Sequence, residues 1–270
     1  MGNIKFDFTG KVLAITGAAG GIAKAIALGF ADAGASVVIG DLKEEEAMKV
    51  VSEIREKGGK AEFFQLDVTN FDNVRSWVQF TLDTYGQLDF LCNGAGLSSV
   101  HKGNPFTNYD DNDFERAWRV NLLGHVHTIS AVYDYMKERG YGRIINIAST
   151  VYRSTNLNYV PYSTSKAAAV NLVWNMAKEL GPYGVTVNHI CPGFVVTPMY
   201  EGYFKNKRDQ LPKEIGNSPE EMVDYFARQS CATKRRQEPE EIAWAAMYLA
   251  SDEARSVNGS GIEVNGGYKL

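Results

Sequence analysis

No run of about 18 apolar residues occurs in the chain, which excludes a membrane-crossing helix. No excess of basic charge occurs either. The 28 Lys and Arg face 32 Asp and Glu, leaving a net charge of −4. Nucleic acid and an anionic membrane are therefore not expected as partners. Cysteine is scarce, and Cys92, Cys191 and Cys231 are odd in number and far apart. That pattern excludes a disulfide frame and points to buried thiols in a reducing compartment. The opening "MGNIKFDFTGKV" lacks the apolar core of a signal peptide. Its "MGN" fits myristoylation in a eukaryote only, and Phe6 stands where that motif has Ser or Thr. A soluble cytoplasmic protein is expected. Histidine is also rare: His125 and His127 form H-x-H in an expected helix. Positions i and i+2 do not share a helix face, so no metal site is expected there. The run Lys234-Arg235-Arg236 reads as a solvated or interface turn.

With 44% hydrophobic and 22% charged residues, the chain has a globular composition. Short, continuous apolar runs alternate with helical stretches. The runs are "KVLAIT" (11–16), "SVVIG" (36–40), "AEFFQLDV" (61–68), "LDFLCNGAG" (88–96), "GRIINIAS" (142–149), "VTVNHICPG" (185–193) and "GIEVNG" (261–266). Helices are expected at 22–33, 43–57, 71–85, 111–138, 161–180 and 239–250. Strands apolar on both faces belong in a parallel sheet covered on both sides. The expected fold is α/β: one Rossmann-type doubly wound sheet of about seven parallel strands flanked by helices. No linker or repeat divides residues 1–270, so one domain is expected. Residues 199–235 break the rhythm and read as a substrate-binding excursion within it. Ligands of such sheets bind beyond the carboxyl ends of the strands.

"TGAAGGIAKA" (16–25) lies directly after the first strand and opens the first helix. The dinucleotide fingerprint G-x-G-x-x-G does not fit, because Ala19 and Ile22 occupy glycine places. The physical requirement is nevertheless met. Gly17, Ala18, Ala19, Gly20 and Gly21 carry almost no side chain, and the N–H groups of a helix start attract phosphate. A ligand-free turn remains the alternative. Asp41 ends the second strand, 20 residues after Gly21. A carboxylate there accepts hydrogen bonds from a ribose hydroxyl and repels the extra phosphate of NADP, so NAD is favoured over NADP.

"PYSTSK" (161–166) begins a helix with proline and sets Tyr162 and Lys166 at i and i+4 on one face. A phenol ordinarily titrates near pH ~10. A neighbouring ammonium is expected to pull that value down and make an acid–base group at a carbonyl or alcohol oxygen.

Together these segments resemble the short-chain dehydrogenase/reductase family over essentially the whole chain. "TGAAGGIA" is similar to its T-G-x-x-x-G-x-G turn, with Ala23 in the last glycine place. "LDVTN" supplies Asp67 and Val68, "NGAG" supplies Asn93, Ala95 and Gly96, and "RVNLLG" supplies Asn121. Gly94 replaces a second Asn. "INIAST" places Ser149 thirteen residues before Tyr162, and "CPGFVVTPM" resembles the family's P-G-x-x-x-T segment. "EPEEIAWAAMYLASDEA" and "VNGSGIEVNGG" are similar to its last helix and strand, with Gln237 where a glycine is common.

The resemblance implies that Asn121, Ser149, Tyr162 and Lys166 are catalytic. Tyr162 would exchange a proton with the substrate oxygen, and Ser149 would hydrogen-bond that oxygen. Lys166 would lower the phenol and hold the nicotinamide ribose, and Asn121 would hold a water that relays protons outward. The cofactor would lie along Gly17, Gly20, Gly21, Ile22, Asp41, Leu42, Asp67, Val68, Asn93, Ala95, Gly96, Pro192, Gly193, Val195 and Thr197. Asp67 and Val68 would flank the adenine, and Val195 and Thr197 would anchor the carboxamide. A homotetramer or homodimer paired through helices 111–138 and 161–180 is implied as well.

Segments 97–106, 150–160 and 199–235 should wall the substrate pocket. Ser149, Tyr152, Arg153, Tyr159, Phe194 and Tyr200 are the candidate substrate residues, with Tyr203, Phe204, His101, Lys102, Asn156 and Asn158 nearby. The aromatic set suits a steroid or other flat ring, and the polar set suits a sugar, polyol or small acid. Arg153 tilts the reading toward a polar secondary alcohol or sugar-like ketone. A hydroxysteroid-type dehydrogenase, an NADP-linked ketone reductase and a non-catalytic NAD sensor are the alternatives.

Overall fold

A computed structural model describes residues 5–98, 106–153, 159–198, 200–201, 215 and 218–268. Strands β1 (Val12–Thr16), β2 (Ser36–Asp41), β3 (Lys60–Gln65), β4 (Phe90–Asn93), β5 (Gly142–Ile147), β6 (Val185–Pro192) and β7 (Gly261–Val264) form one sheet. Their order is β3-β2-β1-β4-β5-β6-β7, and every pairing is parallel. Every residue of β1, β4, β5 and β6 is buried, which is why these runs carry no polar alternation. The edge strands β3 and β7 are partly exposed. The direction of strand order reverses between β1 and β4, and such a switch point leaves a crevice at the carboxyl ends.

Two apolar layers cover the sheet. On one face pack α1 (Gly21–Asp32), α2 (Glu44–Glu56) and α8 (Pro239–Ala250), around Ile15, Phe30, Ile39 and Phe90. On the other pack α3 (Phe71–Tyr85), α5 (Gly124–Arg139) and α6 (Val160–Leu180), around Leu66, Trp77, Leu91 and Ile144. Helix starts follow their local chemistry. Asn70 caps α3 by accepting the Asn73 N–H, and Asp110 and Asp113 form a reciprocal box at α4 (Asp111–Trp118). Ser218 and Glu221 form the same box, with Pro219 in the first turn, at α7 (Pro219–Ser230). This helix lies inside the 199–235 excursion. It carries its own small cluster of Ile215, Met222 and Val223 packed with Phe194, Val196, Tyr200, Tyr225 and Phe226.

Two elements differ from the sequence expectation. The run 88–96 is strand only over Phe90–Asn93. Beyond it, the Gly94 and Ala95 N–H groups donate to Thr16 Oγ1 (3.1 Å each), so the chain leaves β5 and folds across the β1 turn. The helix at 111–138 is interrupted by one π-helical turn, Arg119–Leu123, between α4 and α5. Such bulges are frequent at functional sites.

Candidate active site

The crevice starts at the turn after β1. Gly17 has φ +75°, and a Cβ there would sit 2.6 Å from the Ala95 Cα. Only glycine accepts that backbone and that approach. Gly20 caps α1 with no side-chain hydrogen bond, so the N–H groups of the first turn keep their anion-binding character. Thr197 and Pro198 reach over this turn: a Cβ on Gly21 would lie 3.4 Å from each. Asp41 closes the other side. Its carboxylate accepts the Ala19 N–H (2.9 Å) and the Lys43 N–H (3.0 Å). An ionised carboxylate has about four acceptor positions, so capacity remains for ribose hydroxyls. Leu42 beside it is 63% exposed. Asp67 accepts the Thr69 N–H and hydroxyl at 2.9 and 2.8 Å, and the Val68 carbonyl is 2.8 Å from His127 Nδ1.

Ala23 and Gly94, separate departures in sequence, meet in space. A Cβ on Gly94 would lie 2.7 Å from the Ala23 Cβ and 2.7 Å from the Thr16 carbonyl oxygen. The methyl on α1 occupies the room that a side chain on residue 94 would need.

The four expected catalytic residues come from three neighbouring segments. Ser149 follows β5, Tyr162 and Lys166 lie on the first turns of α6, and Asn121 lies in the π turn. The Ser149 hydroxyl lies beside Tyr162 and acts to lower its phenol. Lys166 Nζ donates to the Ile147 carbonyl at 2.7 Å. Gly96 opens between Asn121 and Lys166: a Cβ there would lie 3.5 Å from Asn121 Oδ1 and 3.6 Å from Lys166 Nζ. Both Asn121 amide N–H donors and one acceptor position of its Oδ1 are engaged. The amide accepts the Leu97 N–H (2.8 Å) and donates to the Leu97 carbonyl and Ser165 Oγ (2.9 Å each).

Electrostatics at this cluster depart from the expectation that Lys166 pulls the phenol down. Part of Tyr162 reaches the surface, but its hydroxyl is desolvated, and burial pushes it up to about 12. The Ser149 hydroxyl opposes that push without overcoming it. Burial also drives Lys166 down to about 8. In the protein alone, desolvation dominates both groups, and Lys166 is not among the groups that lower the Tyr162 phenol.

Other expected residues fall into different places. The Asn93 side chain is buried, donating to Asn146 Oδ1 (2.9 Å) and accepting from Thr128 Oγ1 (2.7 Å), so it braces the loop from within. Tyr152 packs against Ala148, Val170 and Cys191, and Arg153 pairs with Glu263 of β7 at 3.5 Å. These two candidate substrate residues therefore turn toward β6 and β7. Phe194 and Tyr200 meet in a tilted ring contact, and Phe194 also stacks on Phe226 and meets Tyr268 edge-on. Tyr159 caps α6 and is half-buried. Pro192 accepts from Thr150 Oγ1 at 3.3 Å, and Val195 is buried. His101, Lys102, Asn156, Asn158, Tyr203 and Phe204 lie outside the described residues. Arg235 and Arg236 pair with Glu241, Asp224 and Glu238. Among the described residues, no group of three His, Cys, Asp or Glu is placed to hold a metal, and all three cysteines are buried and unbridged.

Three contributors escaped sequence reasoning. His125 lies one turn beyond Asn121 and is 1% exposed; burial, then the Lys166 charge, push its imidazole down to about 3. Tyr268 packs edge-on against Phe194. Gln237 is 2% exposed, and its Oε1 accepts the Phe194 N–H at 2.9 Å. The signal for Gln237 was available: a long polar residue stands where the pattern commonly has glycine.

The residues present fit a nicotinamide dinucleotide. A side-chain-poor helix start, a fixed carboxylate at the end of β2 and Lys166 beside Gly96 lie at the carboxyl ends of the strands, with Tyr162 one turn before Lys166 on α6.

The chain is similar to known proteins over nearly its whole length. A family model described as enoyl-(acyl carrier protein) reductase matches residues 17–269. The 7alpha-hydroxysteroid dehydrogenase of Escherichia coli K12 is 36% identical over 265 residues, covering 98% of this chain and 96% of that protein. A solved structure of 7 alpha-hydroxysteroid dehydrogenase complexed with NADH and 7-oxo glycochenodeoxycholic acid superposes with a TM-score of 0.85. It is 34% identical and covers 99% of this chain and 98% of that one. NAD+-bound xylitol dehydrogenase superposes with a TM-score of 0.87 at 31% identity, covering 96% of this chain and 99% of that one.

Proposed function

The chain belongs to the short-chain dehydrogenase/reductase family and is an NAD(P)-dependent oxidoreductase acting on CH–OH groups; from that premise we propose that its cofactor is NAD and its substrate a secondary alcohol or ketone on a flat apolar ring. The observation that carries the cofactor reading is Asp41. Its charge is held at the end of β2 by two backbone N–H groups, where a 2′-phosphate would be repelled. The names of two structural relatives, one with NADH and one with NAD+, support the same choice.

The substrate reading moves from polar toward apolar because its polar anchor is engaged. Arg153, which suggested an anion or polyol, is paired with Glu263. Among the described residues, Phe194, Tyr200, Phe226 and Tyr268 form an aromatic group beside Val195. Flat apolar rings bury well against such walls. The hydroxysteroid relatives point the same way.

Each residue then has a stated task. Ser149 Oγ hydrogen-bonds the substrate oxygen and orients it toward Tyr162. Tyr162 Oη gives that oxygen a proton in reduction and takes one in oxidation. A phenol held up to about 12 by burial suits the donating role. Lys166 binds the ribose and, while charged, stabilises a phenolate. Its Nζ is held by the Ile147 carbonyl. Asn121 positions Leu97 and Ser165 through its amide, and a relay water would be held by the acceptor position left on its Oδ1 or by the backbone of the π turn. When bound, the nicotinamide supplies the hydride acceptor or donor, and its oxidised form adds positive charge beside the phenol. The test is NADH release, screened over hydroxysteroids, polyols and sugar acids, in wild type and Tyr162→Phe.

A further inference from the structure

The Phe194 backbone is held at both of its polar groups by one residue. The Gln237 N–H donates to the Phe194 carbonyl at 2.8 Å, and Gln237 Oε1 accepts the Phe194 N–H at 2.9 Å. Gln237 Nε2 is satisfied in turn by the Arg235 carbonyl at 3.1 Å. The side chain is 2% exposed and enclosed by two glycines. A Cβ on Gly193 would fall 2.5 Å from its Oε1, and one on Gly266 would fall 2.8 Å from its Nε2. Val195, the next residue, pairs with Gln237 as an isolated parallel bridge, and Thr197 then reaches across to Gly21. A glycine at 237 would keep the N–H bond to Phe194 but would have no acceptor for the Phe194 N–H. That donor would be left without its protein partner.

We propose that Gln237 is a positioning residue for the nicotinamide end of the cofactor: its side-chain amide fixes the Gly193–Thr197 segment so that Val195 and Thr197 present their polar groups in one arrangement. The proposal rests on the reading above that this segment grips the carboxamide. Gln237 touches neither substrate nor cofactor. It acts by reducing the number of conformations the segment must give up on binding. The adenine end, at Asp41, Asp67 and Val68, lies on strands β2 and β3 and their loops, away from the clamp.

The experiment uses the full chain with Gln237→Gly and Gln237→Met; the second keeps the side-chain length and removes the acceptor. Two ligands are titrated: NADH by fluorescence, and ADP-ribose, which lacks nicotinamide, by calorimetry. The expected result is NADH affinity about tenfold weaker in both variants, with ADP-ribose affinity within about twofold of wild type. KM for NAD should rise in step while kcat stays within about twofold, the pattern of lost uniform binding. NADH affinity unchanged in the variants, or NADH and ADP-ribose weakening together, would overturn the proposal. If Gln237→Gly fails to fold, Gln237→Met carries the same comparison. A wild type that binds ADP-ribose and NADH equally overturns the proposal and leaves the functional reading standing. A wild type that binds neither overturns that reading and the proposal with it.

Discussion

Tyr162 and Lys166 occupy one helix face, yet burial acts on both in the direction that disfavours charge. Spacing at i and i+4 was legible in the sequence; the desolvation of both groups was not, because it depends on strands β5 and β6 beneath them. His125 shows the same effect without a catalytic proton. Its imidazole titrates near 3 in the folded chain, against an ordinary value of 6.5, so the unfolded chain binds the extra proton first. The stability contributed by the neutral ring is therefore complete above pH 6.5 and is lost as pH falls toward 3. By pH ~4 that loss should reach about 3 kcal/mol. Urea unfolding of wild type and His125→Leu between pH ~7 and ~4 checks this. Wild type should lose about 3 kcal/mol more than the variant across that interval, whereas parallel curves would show that His125 does not titrate on unfolding.

Most elements could be read from the sequence, since each strand is a short apolar run and several helices have a start signal. The expected 71–85 and 239–250 helices coincide with α3 and α8. The misses share one cause: a contact distant in sequence that local pattern does not encode. Strand β4 stops at Asn93 because Thr16 captures the next two N–H groups. The π turn at Arg119–Leu123 has no compositional mark, although Asn121 within it was singled out. The Ala23–Gly94 exchange is the clearest case, because each looked like an isolated departure until α1 was laid against the end of β4. A Cβ at residue 94 would collide with the Ala23 methyl and the Thr16 carbonyl. Gly94→Ala is therefore expected to destabilise the fold by about 1–3 kcal/mol. Adding Ala23→Gly should restore part of that loss, leaving a coupling of at least ~0.5 kcal/mol in a double-mutant cycle. Strict additivity would mean that the two positions do not share their space.

At the scale of the whole molecule, large apolar side chains remain exposed on both helical layers among the described residues. Trp118 (43%), Leu123 (42%) and Trp174 (51%) lie on α4, the π turn and α6, where the Trp118 indole N–H donates to Thr164 Oγ1 at 3.2 Å. Trp244 (60%) and Tyr248 (40%) lie on α8, in the other helical layer. Exposed apolar side chains grouped in this way mark association surfaces, and their presence on both layers suits a dimer of dimers. Sedimentation equilibrium at micromolar concentration should give a mass of two or four chains, and Trp174→Glu should lower it. A wild-type mass of one chain would contradict the assembly. No helix among the described residues is long and apolar enough to cross a membrane.

The chemistry assigned to the crevice converges on one atom, Tyr162 Oη, and one measurement reaches it directly. Steady-state NADH release is compared for wild type and Tyr162→Phe with the best alcohol from the screen, alongside NADH affinity for both proteins. The predicted result is a loss of about 10²–10⁴ in kcat with NADH affinity unchanged, since the proton has lost its carrier while the cofactor site is intact. Turnover of Tyr162→Phe within tenfold of wild type would contradict the assignment.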